Sequence, residues 1–264
     1  MSGFNLGSTT ELATVAIRVK DRDKMIAFYR DLIGFVLKGE ENALAIMGTV
    51  EDKSERLWLE ESPRANDHFG EIKKLQCFTL NVASVAELGD IYARLKHSAY
   101  PATVNLGENE VCVVLRDPEE NQLALYTQAT VADEAQLLAA GQGAYPHLSA
   151  AARFDRVHLN VNNLEEEAAF LNDVLGFTAD QSRYLLNEAN FQVGLNETDS
   201  TAITVESHEI LGLEFLKFLI SEENILALER HLTELKQEFF IDKKKSILTI
   251  YDAIGIEWWF VRTN

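Results

Sequence analysis

The chain has 264 residues, with 42 acidic against 24 basic residues and a formal net charge of -18. So acidic a surface repels phosphate backbones and anionic lipid, which argues against nucleic acid and membranes as partners. Apolar residues make up 47% and charged residues 25%, an ordinary globular composition whose length suits two domains or one large one, with either half long enough to bury its own core.

Two cysteines, Cys77 and Cys112, cannot make a disulfide framework; both sit in apolar runs and read as buried reduced thiols. The first 19 residues lack a basic segment followed by an apolar one, and no run of 18 apolar residues occurs. The expectation is a cytoplasmic protein.

The chain repeats itself. VAIRVKDRDKMIAFYRDLIGF (Val15 to Phe35) matches VHLNVNNLEEEAAFLNDVLGF (Val157 to Phe177) at seven of 21 positions without a gap. In chain order, Thr14 to Val19 alternates like a half-buried strand. Asp21 offers an N-cap, and Met25, Ile26, Tyr29, Leu32 and Ile33 fall on one helical stripe. Gly34 stands where a helix end needs positive φ. Short strand runs follow: FVLKG, NALAIMG and RLWLEE. LQCFTLNV then leads to Ser84, whose spacing to Glu87 predicts a capping box. Leu88, Ile91, Tyr92 and Leu95 make the next stripe, and VCVVLRD and QLALYTQ close the first half.

Ala132 to Ala140 suits a short helix, and GQGAYPHL is a break rich in turn residues. The domain boundary is therefore placed at 131–153, between domains at 1–130 and 154–264. In the second half Asn162 or Asn163 caps, Glu165 to Glu167 suit the positive helix end, and Gly176 closes. RYLL, NFQVGL and AITVES read as strands. LEFLKFLI leads to Ser221 and a stripe at Ile225, Leu228, Leu232 and Leu235; SILTIYD and IEWWFV are the last strands. The fold class is α+β, built from four strand–helix–three-strand modules in two pairs. Which modules share a sheet stays open.

The run DRDxxxxFYRDLIGF, its repeat, and a closing strand after RDPEENQLALY resemble the vicinal oxygen chelate superfamily of glyoxalases, extradiol dioxygenases and bleomycin-resistance proteins. The resemblance implies two tandem glyoxalase-like domains. More narrowly, EENALAIMG, LEESPR, IDKKKSILTIYD and GIEWWF are similar to the CppA proteins of streptococci, named as proteinases degrading complement component three.

That superfamily's enzymes hold a divalent metal through His, Gln and Glu on opening and closing strands. Carried over by position, the ligands of the first domain fall on Thr14, Cys77, Ala124 and a carboxylate near Glu60. Those of the second fall on Arg156, Trp259 and near Glu214 and Glu206. Neither set is complete, so no metal or other cofactor is expected.

Strand parity gives the surface that replaces them. Arg156, His158 and Asn160 share one face, and Glu257, Trp259 and Val261 another. The first five are the candidate ligand-binding residues, expected together on one concave sheet. They suit a small anionic or planar ligand, or a protein partner. The plainer possibility is that Arg156 pairs with Glu257 or Glu206 while Trp259 fills the barrel mouth. In the first domain Arg18, Ala16 and Thr14, then Cys77, Thr79 and Asn81, then Gln122 and Tyr126, make a weaker polar surface.

Proteinase signatures do not declare themselves. His208 and Glu209 lack the second His of HExxH, no GxSxG occurs, and no base stands beside Cys77 in sequence. His68, His97 and His147 read as surface residues, His231 as part of a charged helix face, and Lys243 to Lys245 as a solvated hairpin. Catalysis and its residues stay open, with a metal-dependent lyase or dioxygenase and a proteinase as the alternatives to a binding protein.

Overall fold

The structure is a computed structural model and describes residues 4–50, 53–67, 70–187 and 190–263. The reading of His68 as a surface residue lies outside them.

Four modules follow one another, each a strand, a helix and three more strands. The first is β1 (Glu11–Val19), α1 (Arg22–Ala27), β2 (Val36–Glu41), β3 (Leu44–Gly48) and β4 (Leu57–Glu61). The second is β5 (Leu75–Asn81), α2 (Val85–His97), β6 (Ala102–Leu106), β7 (Val111–Arg116) and β8 (Gln122–Thr127). After α3 (Glu134–Ala140) comes the third: β9 (Arg153–Val161), α4 (Leu164–Ala169), β10 (Thr178–Asp180), β11 (Arg183–Leu186) and β12 (Phe191–Glu197). The fourth is β13 (Gly212–Ile220), α5 (Glu222–Leu235), β14 (Phe240–Ile241), β15 (Ile247–Tyr251) and β16 (Glu257–Arg262).

The strands form two eight-stranded sheets, ordered β14-β15-β16-β13-β1-β4-β3-β2 and β10-β11-β12-β9-β5-β8-β7-β6. The opening strand of a module pairs in parallel with its own closing strand, as in β5 with β8, β9 with β12 and β13 with β16; the other pairs within modules are antiparallel hairpins. Each sheet takes one module from each half of the sequence. Two compact units result. One comprises the residues up to Ile17, Ala65–Gln76 and those from Asp155 onward; the other comprises Arg18–Arg64 and Cys77–Phe154.

Local chemistry sets the helix starts. The side chains of Asp21, Ser84, Asn163 and Ser221 each accept from a backbone N–H of the first turn of α1, α2, α4 and α5, satisfying donors that the helix leaves free. Glu87 reaches back to the Ala83 N–H at 2.8 Å, one residue before the cap. Gly34 (φ 103°) and Gly176 (φ 71°) carry the expected positive φ.

Two local readings are corrected. AITVES forms no strand: Thr201–Thr204 is a 3-10 turn, and the third module completes its meander with Thr178–Asp180 instead. The short helix starts at Glu134, because Asp133 caps it by accepting from Gln136 N–H at 2.8 Å. One feature has no counterpart in the sequence reading. α1 and α4 each widen into a π-helical turn, Phe28–Ile33 and Phe170–Val174.

Apolar side chains between sheets and helices form the core. Tyr29, Phe35, Phe78 and Tyr92 are all but fully buried in one unit, and Phe177, Phe191, Phe218 and Trp258 in the other. Phe218 stacks on Trp258 with ring centroids 5.6 Å apart.

Candidate functional site

In β9 the apolar residues Val157, Leu159 and Val161 are fully buried, which turns Arg156, His158 and Asn160 to the other face. β12 runs alongside in parallel, with Gln192 opposite Arg156, Gly194 opposite His158 and Asn196 opposite Asn160. β11 adds Arg183, in register with Gly194.

Contacts knit this face together. Asn160 is the anchor: its backbone N–H donates to Lys74 O at 2.8 Å and its Nδ2 to Lys73 O at 2.7 Å. Its Oδ1 accepts from Asn196 Nδ2 at 2.9 Å. Arg183 Nη1 donates to Gln192 Oε1 at 3.2 Å. The ring of His158 lies over Gly194: a Cβ there would stand 2.5 Å from its Nδ1. Glycine is thus required by the imidazole's position, not by backbone conformation. Burial first, then the charges of Arg156 and Arg183, hold the His158 pKa below its ordinary range. At neutral pH the imidazole is neutral and can both donate and accept.

Arg156 is partly buried and ion-pairs with its neighbour Asp155 at 3.9 Å, rather than with Glu257 or Glu206 as the plainer reading expects. The larger correction concerns Glu257 and Trp259. They lie on β16, in the sheet that does not contain β9. Three of the five candidate residues therefore share a strand, and the other two stand on another sheet. Parity along one strand was legible; which strands share a sheet was not.

Glu257 and Trp259 have their own surroundings. Phe215 and Lys217 of β13 stand opposite them in register, and Trp259 stacks on Phe215 with centroids 4.3 Å apart. Tyr251, opposite Glu257 on β15, has its pKa raised by burial and by Glu257, Glu214 and Glu206. This face is acidic, the β9 face basic.

The other implied metal positions do not assemble donors. Thr14 is fully buried, Ala124 offers a methyl, and Glu60 pairs with Arg18 at 3.8 Å. Burial pushes the Cys77 thiol up despite hydrogen bonds to Gln122 and Thr79, the reverse of what metal ligation or nucleophilic attack needs. Among the described residues no three His, Cys, Asp or Glu side chains converge as a metal site. The donor set does not fit the superfamily's divalent ion.

Two further clusters escaped the sequence reading. Lys74 Nζ donates to Ser207 Oγ at 2.9 Å, and Ser207 in turn donates to Gly255 O at 2.6 Å. Burial lowers the Lys74 pKa, while Asp252 and Glu206 oppose. The second cluster sets buried Glu167 beside Asp252. No spacing in the sequence announces either, because each joins distant segments.

Residues 12–137 match the family described as CppA N-terminal, and residues 149–260 match CppA C-terminal. The chain belongs to the CppA family. The CppA protein of Streptococcus pneumoniae TIGR4 is 20% identical, with a TM-score of 0.63 over 95% of this chain and 97% of that one. A putative dioxygenase from Bacillus subtilis is 13% identical, with a TM-score of 0.68 over 97% and 86%. Glyoxalase I from Zea mays is 14% identical, with a TM-score of 0.57 over 96% and 92%. At these identities the likeness establishes the glyoxalase/dioxygenase fold. No curated protein matches the chain significantly. No helix among the described residues is long and apolar enough to cross a membrane.

Proposed function

We propose that this CppA-family chain is a binding protein on a glyoxalase/dioxygenase fold, and that the β9–β12–β11 face takes a small anionic ligand. The observation that carries the reading is the ring of His158, set against Gly194 and within reach of the charges of Arg156 and Arg183. Two guanidinium groups supply fork donors for a carboxylate or phosphate. The neutral imidazole and the amides of Asn196 and Gln192 supply directional hydrogen bonds.

The test is a thermal-shift and calorimetric screen of inorganic phosphate and small mono- and dicarboxylates. Binding should raise Tm in proportion to saturation. Arg156→Ala should weaken it by about 1.5–3 kcal/mol, a roughly ten- to hundredfold rise in Kd, without changing the circular dichroism. Binding that survives Arg156→Ala and Arg183→Ala together would place the anion elsewhere. No binding by any of these anions would defeat the reading.

A hydrolase reading, which the CppA proteinase name suggests, has one observation in its favour: a lysine of lowered pKa bonded to the Ser207 hydroxyl. Serine–lysine pairs can activate a nucleophile. Against it, the Ser207 proton is given to Gly255 O, and Lys74 is the donor of the pair. Peptide cleavage by the purified chain that disappears in Ser207→Ala would favour this reading over the first.

A further inference from the structure

Glu167 lies in α4 and is fully buried. In the repeat its place corresponds to Met25 of α1, also fully buried. One helix docks with a thioether and the other with a carboxyl. Neither carboxyl oxygen of Glu167 reaches a donor at hydrogen-bond distance among the described residues, although the Ala253 amide approaches and offsets part of the cost.

The turn between β15 and β16 packs against it and presents Asp252, itself buried. The Asp252 carboxylate accepts from Ile254 N–H at 3.2 Å, Ile256 N–H at 2.7 Å and Trp258 Nε1 at 3.0 Å. The first half solves the same problem differently. Its turn aspartate, Asp117, accepts from Tyr29 OH at 2.9 Å. The repeat puts Leu171 at the place of Tyr29, so the second half draws its donor from Trp258 and sets an acid beside the turn.

The surrounding charges decide which acid ionises. Asp252 has three donors and the nearby Lys74, whose other acidic neighbour is Glu206. Glu167 faces Asp252 from the turn and has Glu166 on its own helix. Two carboxylates this close and this buried do not both carry charge.

We propose that Glu167 docks α4 as a neutral acid against ionised Asp252, making a proton-dependent joint directly after the ligand strand β9. Burial and the Asp252 charge push the Glu167 carboxyl from its ordinary 4.5 up to about 9. Opening α4 exposes Glu167 to water, where it ionises at its ordinary value. Between those two values opening releases a proton. The docking stability is therefore complete below about 4.5 and lost by about 9; burial raises Asp252 itself to about 6, and above that value, where Asp252 is ionised, each pH unit raises the open population about tenfold.

Hydrogen exchange on peptides spanning residues 164–174, corrected for intrinsic rates, reads that population. The wild-type chain should show close to tenfold faster exchange per pH unit across neutrality. Glu167→Gln should show none of this dependence, and Glu167→Met, which copies Met25, should also be better protected. An infrared band of a protonated carboxyl at neutral pH should be present in the wild type and missing in Glu167→Gln. Equal pH dependence in wild type and Glu167→Gln, or no protonated-carboxyl band in the wild type, would overturn the proposal. Neither outcome bears on anion binding at the β9 face.

Discussion

At the scale of single residues, a few side chains of the second half carry large physical effects. Gly194 is the sharpest case. Its φ is not in the left-handed region, so backbone strain does not require glycine there; the imbricated His158 ring does. Gly194→Ala should therefore leave stability within about 1 kcal/mol, because a ring can swing aside. The same change should shift the His158 imidazole resonances and weaken anion binding at the β9 face. NMR titration of His158 with and without phosphate checks both outcomes. A loss of several kcal/mol in denaturation would mean that the ring cannot yield. The site residues of β9 were legible because strand parity is a local property: Val157, Leu159 and Val161 are apolar, so their alternates face away. Glu167 was not legible. At Met25's place in an amphipathic repeat it reads as one more acid of a favourable first turn, and only the arrival of Asp252 from 85 positions onward changes its meaning.

At the scale of elements, each half closes its first helix with the same device. The helix widens into a π-helical turn and ends on a glycine at positive φ. The caps and the glycines were readable because side chain and backbone partner lie within four residues. The widening was not, since a fifth-residue hydrogen bond leaves no mark on apolar spacing over so short a run. The two glycines nonetheless differ in what passes over them. A Cβ on Gly34 would meet the Arg94 guanidinium at 2.9 Å and the His147 backbone at 3.3 Å. A Cβ on Gly176 would collide with the backbone carbonyl of Phe4. Gly34→Ala should cost about 1–2 kcal/mol, the ordinary penalty of a left-handed site. Gly176→Ala should cost more, because a backbone segment must also move. Urea denaturation of the two variants tests the order; equal losses would show that the Phe4 segment gives way freely.

At the scale of the whole molecule, the repeat reveals an exchange of leading segments. Leu6 and Leu148 precede their halves at the same spacing of 142 residues that relates Gly34 to Gly176. Both leucines are buried. The segment leading into β1 belongs to the unit that holds β9–β16. There Phe4 stacks on His231 with centroids 4.0 Å apart, and Asn187 Nδ2 donates to Thr10 O at 2.7 Å. The segment leading into β9 belongs to the unit that holds β2–β4 and β6–β8. There Leu148 N–H donates to Gly34 O at 2.7 Å and its carbonyl accepts from Val50 N–H at 3.2 Å. Each half is thus fastened by the residues that precede the other. A boundary drawn on composition cannot detect this, because turn-rich segments look alike wherever they pack. The consequence is open to experiment. Truncating a buried leucine to alanine costs about 2–5 kcal/mol, and the loss is felt where the side chain packs. Leu6→Ala should therefore speed hydrogen exchange in 164–175 and 222–235, far along the chain, and leave 22–33 unchanged. Leu148→Ala should do the reverse, loosening 22–33 and sparing 222–235. If each variant instead loosens the helix that follows it in sequence, the leading segments serve their own halves and the exchange is wrong.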